Sequence, residues 1–186
     1  MSTAANLKQT AQVIRPVDHF IGSHSGVIII EYGDFECPSC VKAHPEVKRL
    51  QETFAGEIGF VFRNFPHPDI HPHSEMAAEA AEAAAAQGKF WPMHDLLFQN
   101  YRHLGNAHLR DYAESIGLNL IRYDTELRDH IYLQRVQEHL ASGRENGVKA
   151  TPAFFVNGKR VDTNNGLANL FTVVEGEITK INHENA

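Results

Sequence analysis

The chain is predicted to adopt an α/β fold in which a β–α–β unit and a closing β–β–α unit flank an inserted all-helical segment. Three observations predict it. Short β-branched or aromatic runs occur at 26–33 ("GVIIIEYG"), 58–65 ("IGFVFRNF") and 151–161 ("TPAFFVNGKRV"). Residues 71–145, between the last two runs, carry mostly helical spacing after a Pro/His loop. The length of 186 residues accommodates one domain with an insertion, and 42% hydrophobic with 22% charged residues is ordinary for a soluble globular chain.

In chain order, residues 1–12 read as a flexible N-terminal tail, and 13–186 as one domain. Its α/β core is expected from 13–70 and 146–186, with the helical insertion at 71–145. The run at 26–33 is short and apolar, a buried strand. From Cys37 to about Phe54 the spacing of Val41, Val47, Leu50 and Phe54 gives a helix. Pro38 suits its first turn, where a missing N–H costs nothing, and Pro45 lies inside it and should kink it. The strand at 58–65 completes a β–α–β unit whose strands should pair in parallel.

"FPHPDIHPHSEM" is a Pro/His loop. In 75–86, Glu75, Glu79 and Glu82 share one face and nearly everything else is Ala, a surface for close helix packing rather than a site. Phe90, Met93, Leu97, Tyr101 and Leu104 form a helical stripe. Segments 106–116, 119–128 and 129–145 also read as helices, Tyr132, Leu133, Val136 and Leu140 sharing a face of the last. Such stripes mark core packing. Asn157–Gly158 signals a hairpin, and 166–181 closes the chain as a helix.

Several function classes are excluded. A net charge of −6 without a Lys/Arg run leaves no basic stripe for nucleic acid. No segment approaches the ~18 apolar residues of a membrane span, so membrane insertion is not expected. "MSTAANLKQTAQVIRPVDHF" lacks the apolar centre of a secretory signal; the initiator Met followed by small residues favours a cytoplasmic protein, and removal of a signal peptide would make it periplasmic.

The chemistry concentrates in "EYGDFECPSC", which holds the chain's two cysteines, Cys37 and Cys40. A structural disulfide would close too short a loop to restrain the unfolded chain much. A metal site could draw on Cys37, Cys40 and His44, with His71 or His73 recruited from the Pro/His loop. Tetrahedral zinc, however, usually takes a second C-x-x-C or H-x-x-H pair, and none is present. A reactive dithiol fits best. At a strand–helix junction, unpaired helix N–H groups and the macrodipole stabilise a Cys37 thiolate. Such C-x-x-C cysteines have pKa values of roughly 3.5–7.5. The thiolate attacks disulfides, and Cys40, one turn on, is placed to resolve the mixed disulfide. Glu31 interrupts an apolar strand: either alternation turns it to water, or it is a buried acid that moves a proton to or from Cys40.

Together "EYGDFECPSC", Pro45, "GKFWPMHDLLFQN" and "GVKATPAFFVNGK" resemble the DsbA-like thiol–disulfide oxidoreductases of the thioredoxin superfamily over about residues 16–180. The resemblance implies a thioredoxin-like fold with a helical domain inserted before the last strands. It implies that Cys37 is the exposed nucleophile, Cys40 the buried resolving thiol and Glu31 the buried proton-transfer acid. Thr151–Pro152 corresponds to the cis-proline loop that packs on the dithiol and binds an extended substrate strand. Pro38 and Ser39 would position the dithiol. The expected cofactor is none beyond a redox-active Cys37–Cys40 disulfide. The expected partners are unfolded or extended proteins with thiols or disulfides, and a redox-recycling partner.

One position departs from many exported members. Ser39 stands where they carry a His that stabilises the thiolate, while Glu36 adds a negative charge beside Cys37. A less acidic Cys37 and a less oxidising disulfide are therefore expected, and a Cys37 pKa below about 4 would contradict this. His44 and His71 are further candidates for modulating Cys37. In a reducing cytoplasm the dithiol would be the resting state, favouring a reductase or isomerase role. The rival class is a binding or holdase-like module whose thiols are incidental.

Overall fold

The structure, a computed structural model, describes residues 14–184, so the tail expected over 1–12 lies outside the described residues. Among these residues five strands form one sheet: β1 (His19–Gly22), β2 (Val27–Gly33), β3 (Ile58–Asn64), β4 (Ala153–Val156) and β5 (Lys159–Val161), in the order β1-β3-β2-β4-β5. Strand β3 is buried at every position and β2 at all but one, as continuous apolar runs require of central strands. They lie side by side, joined through α1 (Pro38–Thr53), the crossover that a parallel pair needs. Pro45 falls inside α1, and Val47 and Leu50 are buried on its inner side.

Strand β1 adds an antiparallel edge to β3, which the sequence pattern does not announce. Only His19 of its four residues is buried, too little alternation to read. Strand β2 pairs antiparallel with β4, placing Glu31 opposite Phe154. The β4–β5 hairpin forms as expected: Asn157 and Gly158 take φ of 47° and 77°, the left-handed pair of a two-residue turn. Asn157 also accepts from the Ile28 N–H at 3.0 Å and donates to Glu177 Oε2 at 3.1 Å. The turn is thereby tied to β2 and to α7 (Ala168–Glu184).

The described residues divide into two compact units, one holding 14–32, 43–63 and 142–184, the other 33–42 and 64–141. The first contains the sheet and α7. It also buries an ion pair: Arg63 donates through Nε and Nη2 to Asp18 at 2.9 and 2.7 Å, and through Nη1 to Tyr32 Oη at 2.8 Å. Burial works against the charge on Arg63, but the hydrogen bond to Asp18 together with the fields of Tyr32 and Asp18 outweighs it, and the pKa of Arg63 is raised. The second unit contains the turn bearing both cysteines together with the helices, so that turn groups with the helices.

In that unit α2 (Ser74–Ala85) packs against α3 (Phe90–Gln99), α4 (Asn106–Ser115) and α5 (Leu120–Arg128). Its alanines allow the neighbours to approach closely, and residues 77–84 are buried on every side. Glu79 and Glu82 are buried with them. Glu82 accepts from Asn64 Nδ2 at 2.7 Å, and Glu79 pairs with His130 Nδ1 at 2.9 Å. Two helices end sooner or start later than the apolar stripes suggest. At Asn100 the backbone leaves helical values (φ −118°, ψ 29°) and the side chain caps the Leu96 carbonyl, which leaves Tyr101 and Leu104 beyond α3. His130, at φ of 50°, breaks the run 129–145, so α6 spans Leu133–Glu145 and Tyr132 precedes it.

The Glu79–His130 pair makes stability depend on pH. Burial raises the pKa of Glu79 against the opposing pull of His130, and the hydrogen bond to Glu79 raises that of His130. Both groups hold protons more tightly in the folded state. The stabilisation from His130 is complete below its ordinary value of about 6.5 and is lost as pH rises through the raised one. His130→Ala is expected to destabilise at about pH 6 and to change stability less at about pH 9. Urea unfolding of both proteins at the two pH values checks this; an equal loss at both would contradict it.

Candidate active site

Strand β2 ends at Gly33, and residues 34–36 carry the chain into α1. Cys37 occupies the N-cap position: its carbonyl accepts the first helical bond, from the Val41 N–H at 3.1 Å, and Pro38 takes the first helical place. The sequence therefore sets Cys37 where helix N–H groups point outward and Cys40 inside the first turn. Cys37 retains 7% of its surface and Cys40 none, so any disulfide from outside meets Cys37 first. Pro38 and Ser39 between them are exposed. The two sulfurs are not joined by a disulfide in the structure.

Asp34 is the residue that sequence reasoning missed. Its carboxylate is fully buried and accepts three hydrogen bonds: from the Glu36 N–H at 2.8 Å, the His67 N–H at 3.0 Å and His71 Nδ1 at 2.7 Å. Its backbone serves both cysteines. The Asp34 N–H donates to Cys40 Sγ at 3.5 Å, and its carbonyl accepts from the Cys37 N–H at 3.2 Å. The available signals were an acid directly after a buried strand and the histidines of the Pro/His loop. Nothing in their spacing joins them, because His71 lies 37 positions away.

Glu36 is occupied in the same way. It accepts from the His73 N–H at 2.7 Å and lies 3.1 Å from His73 Nδ1, so its charge is directed at the loop. Two carboxylate–histidine pairs, Asp34–His71 and Glu36–His73, thus clamp the loop at 67–73 to the segment preceding the cysteines. Phe35 fixes that segment from another side, with its ring edge-on to His94 at 5.6 Å and against Phe98 at 4.9 Å. Both belong to α3, which explains the aromatic content of "GKFWPMHDLLFQN".

The second unit thus brings together Cys37, Cys40, Pro38, Ser39, Glu36 and His71. Glu31, His44, Thr151 and Pro152 belong to the first. Glu31 is 3% exposed, which removes the reading that alternation turns it to water. His44 is half-buried on α1, one turn past Cys40. The Thr151–Pro152 peptide is cis and leads directly into β4, whose Ala153 lies opposite Tyr32 of β2.

Comparison with known proteins places this geometry. A family model described as thioredoxin matches residues 15–175. BdbD from Bacillus subtilis superposes with a TM-score of 0.80 at 22% identity, over 88% of this chain and 94% of that one. The α-DsbA1 protein of Wolbachia pipientis gives 0.79 at 16% identity, over 96% of this chain and 100% of that one. Among curated proteins, a Na(+)/H(+) antiporter NhaA of Salinispora arenicola is 44% identical over 144 residues, 77% of this chain and 22% of the antiporter. Another from Herminiimonas arsenicoxydans is 39% identical over 146 residues, 78% of this chain and 23% of that protein. The chain thus spans under a quarter of the length of these two relatives, and no described helix is long and apolar enough to cross a membrane. With the five-stranded sheet, the helical unit and the family match, the chain belongs to the thioredoxin family and has the fold of the DsbA-like thiol–disulfide oxidoreductases.

Proposed function

We propose that this protein is a thiol–disulfide oxidoreductase that exchanges disulfides with protein substrates, Cys37 acting as nucleophile and Cys40 as resolving thiol. One observation carries the reading: a thioredoxin-family chain holds Cys37 at a helix N-terminus with residual exposure, and Cys40 fully buried one turn behind it. The Cys37 thiolate attacks a substrate disulfide, forming a Cys37–substrate bond and releasing one substrate thiol. Cys40 then attacks Cys37 Sγ, forming the Cys37–Cys40 disulfide and releasing the second thiol. The reverse sequence oxidises a substrate dithiol. The family resemblance assigns proton transfer to Glu31, which is buried, and reception of an extended substrate strand to the loop at Thr151–Pro152. Ile70, exposed on the loop that carries His71, adds apolar surface suited to unfolded chains.

A structural neighbour from Salmonella enterica is described as a periplasmic thioredoxin-like protein, which supports the periplasmic alternative; nothing among the comparisons supports the cytoplasmic one. A recycling partner is required in either direction of electron flow. The test is turnover of a disulfide-bonded protein substrate with glutathione as reductant. Wild type should turn over and a Cys37→Ser, Cys40→Ser double variant should not. Equal activity in both would favour a binding module, and stoichiometric zinc or iron after purification would favour a metal site.

The direction of exchange is set by Ser39 and its neighbours. An imidazole in that exposed position would favour the Cys37 thiolate more than a hydroxyl does, and so favour the dithiol over the disulfide. Ser39→His is expected to make the disulfide more oxidising by about 30 mV or more, a tenfold shift in equilibrium with glutathione. An unchanged or lower potential would contradict this.

A further inference from the structure

Resolution needs a group that stabilises negative charge on Cys40, as attacker in one direction and leaving group in the other. The fully buried sulfur of Cys40 receives the backbone N–H of Asp34 at 3.5 Å. The side chain of the same residue is anchored: its buried carboxylate accepts from the Glu36 and His67 amides and from His71 Nδ1 at 2.7 Å. A carboxylate only accepts, so Nδ1 of His71 carries the proton. His71 is itself anchored: its N–H donates to the His67 carbonyl at 2.8 Å, and its carbonyl accepts from Ser74 Oγ at 2.7 Å.

We propose that the Asp34 amide is a thiolate-binding donor for Cys40 and that His71, through the Asp34 carboxylate, is the positioning residue that keeps it aimed. The inference rests on the thiol–disulfide exchange proposed above and assigns the Asp34–His71 pair to its second step. In that step the Cys40 thiolate attacks Cys37 Sγ, the Cys37–Cys40 bond forms, and the bond to the substrate sulfur breaks. The substrate sulfur leaves as a thiolate that takes a proton from water. In reverse, Cys40 departs as the thiolate and the same N–H receives it. His71 touches neither cysteine's chemistry directly, so its loss should slow resolution and leave the first attack by Cys37 unchanged.

The experiment uses oxidised glutathione as the disulfide, with acid quenching and mass spectrometry to follow the Cys37–glutathione adduct forming and decaying. His71→Leu is expected to slow decay of the adduct about 3- to 10-fold, the worth of one hydrogen bond. Formation of the adduct should stay within about twofold of wild type, less than that same hydrogen bond would change it. His71→Asn, whose side-chain amide places an N–H close to the position of Nδ1, should restore decay. If the Leu variant does not fold, His71→Gln, whose amide falls nearer the Nε2 position, takes its place with the same expected slowing. Equal slowing of both steps, no slowing of decay, or an Asn variant as slow as Leu would overturn the assignment. A wild-type protein that forms neither an adduct at Cys37 nor an internal Cys37–Cys40 disulfide would overturn the exchange reading itself.

Discussion

Cys40→Ser is expected to accumulate covalent complexes with substrate proteins, and Cys37→Ser to form none. The asymmetry follows from burial and helix position. Cys37 caps α1 with 7% of its surface reachable, whereas Cys40 is sealed. An incoming disulfide therefore bonds to Cys37, and with serine at 40 no internal thiol can displace the substrate. The adduct then persists until an external thiol arrives, so it should appear on non-reducing gels and vanish on reduction. Turnover of Cys37→Ser should fall to the uncatalysed background, since a serine hydroxyl is not ionised at neutral pH and is a far weaker nucleophile than a thiolate. The opposite pattern, with adducts accumulating on Cys40 in Cys37→Ser, would reverse the roles of the two thiols.

The second large effect is on stability. Asp18→Leu is expected to cost about 3–5 kcal/mol, a large part of the 5–15 kcal/mol that typically holds a domain folded. The reason lies with the partner left behind. Arg63 is completely buried, with Asp18 as its bidentate acceptor and Tyr32 Oη and Ser142 Oγ as lesser ones at 2.8 and 3.3 Å. Removing the carboxylate leaves a guanidinium that has no solvent-exposed surface without its charged partner. The double variant Asp18→Leu, Arg63→Met removes both charges and should recover much of the loss, because a buried pair is worth little against apolar residues of similar volume. Denaturant unfolding of the three proteins checks this. A double variant less stable than Asp18→Leu would mean that the network contributes more than the pair.

Local signals in the sequence carried most of the fold. The apolar runs at 26–33 and 58–65 became β2 and β3, and Asn157–Gly158 formed its turn, because each depends on neighbouring residues only. The breaks at Asn100 and His130 were hidden because an apolar stripe continues across them while the backbone does not. Two buried acids in α2 also looked like part of a packing face. Their partners, Asn64 and His130, come from distant segments, and no periodicity pairs them. The candidate site divides the same way. Cys37, Cys40 and the strand–helix junction were readable as one stretch, whereas the Asp34–His71 bond exists only once the loop at 67–73 folds onto residues 34–36.

The claim on which the rest depends is that Cys37 and Cys40 interconvert between a dithiol and an internal disulfide. Equilibrating the protein across a series of glutathione redox buffers, quenching with acid, alkylating the remaining thiols and weighing the products measures this directly. A reversible two-electron transition, with both cysteines gained or lost together and Ser39→His moving its midpoint to more oxidising values, is the expected result. Cysteines that remain alkylatable in every buffer, or that form only separate glutathione adducts without an internal bond, would contradict it.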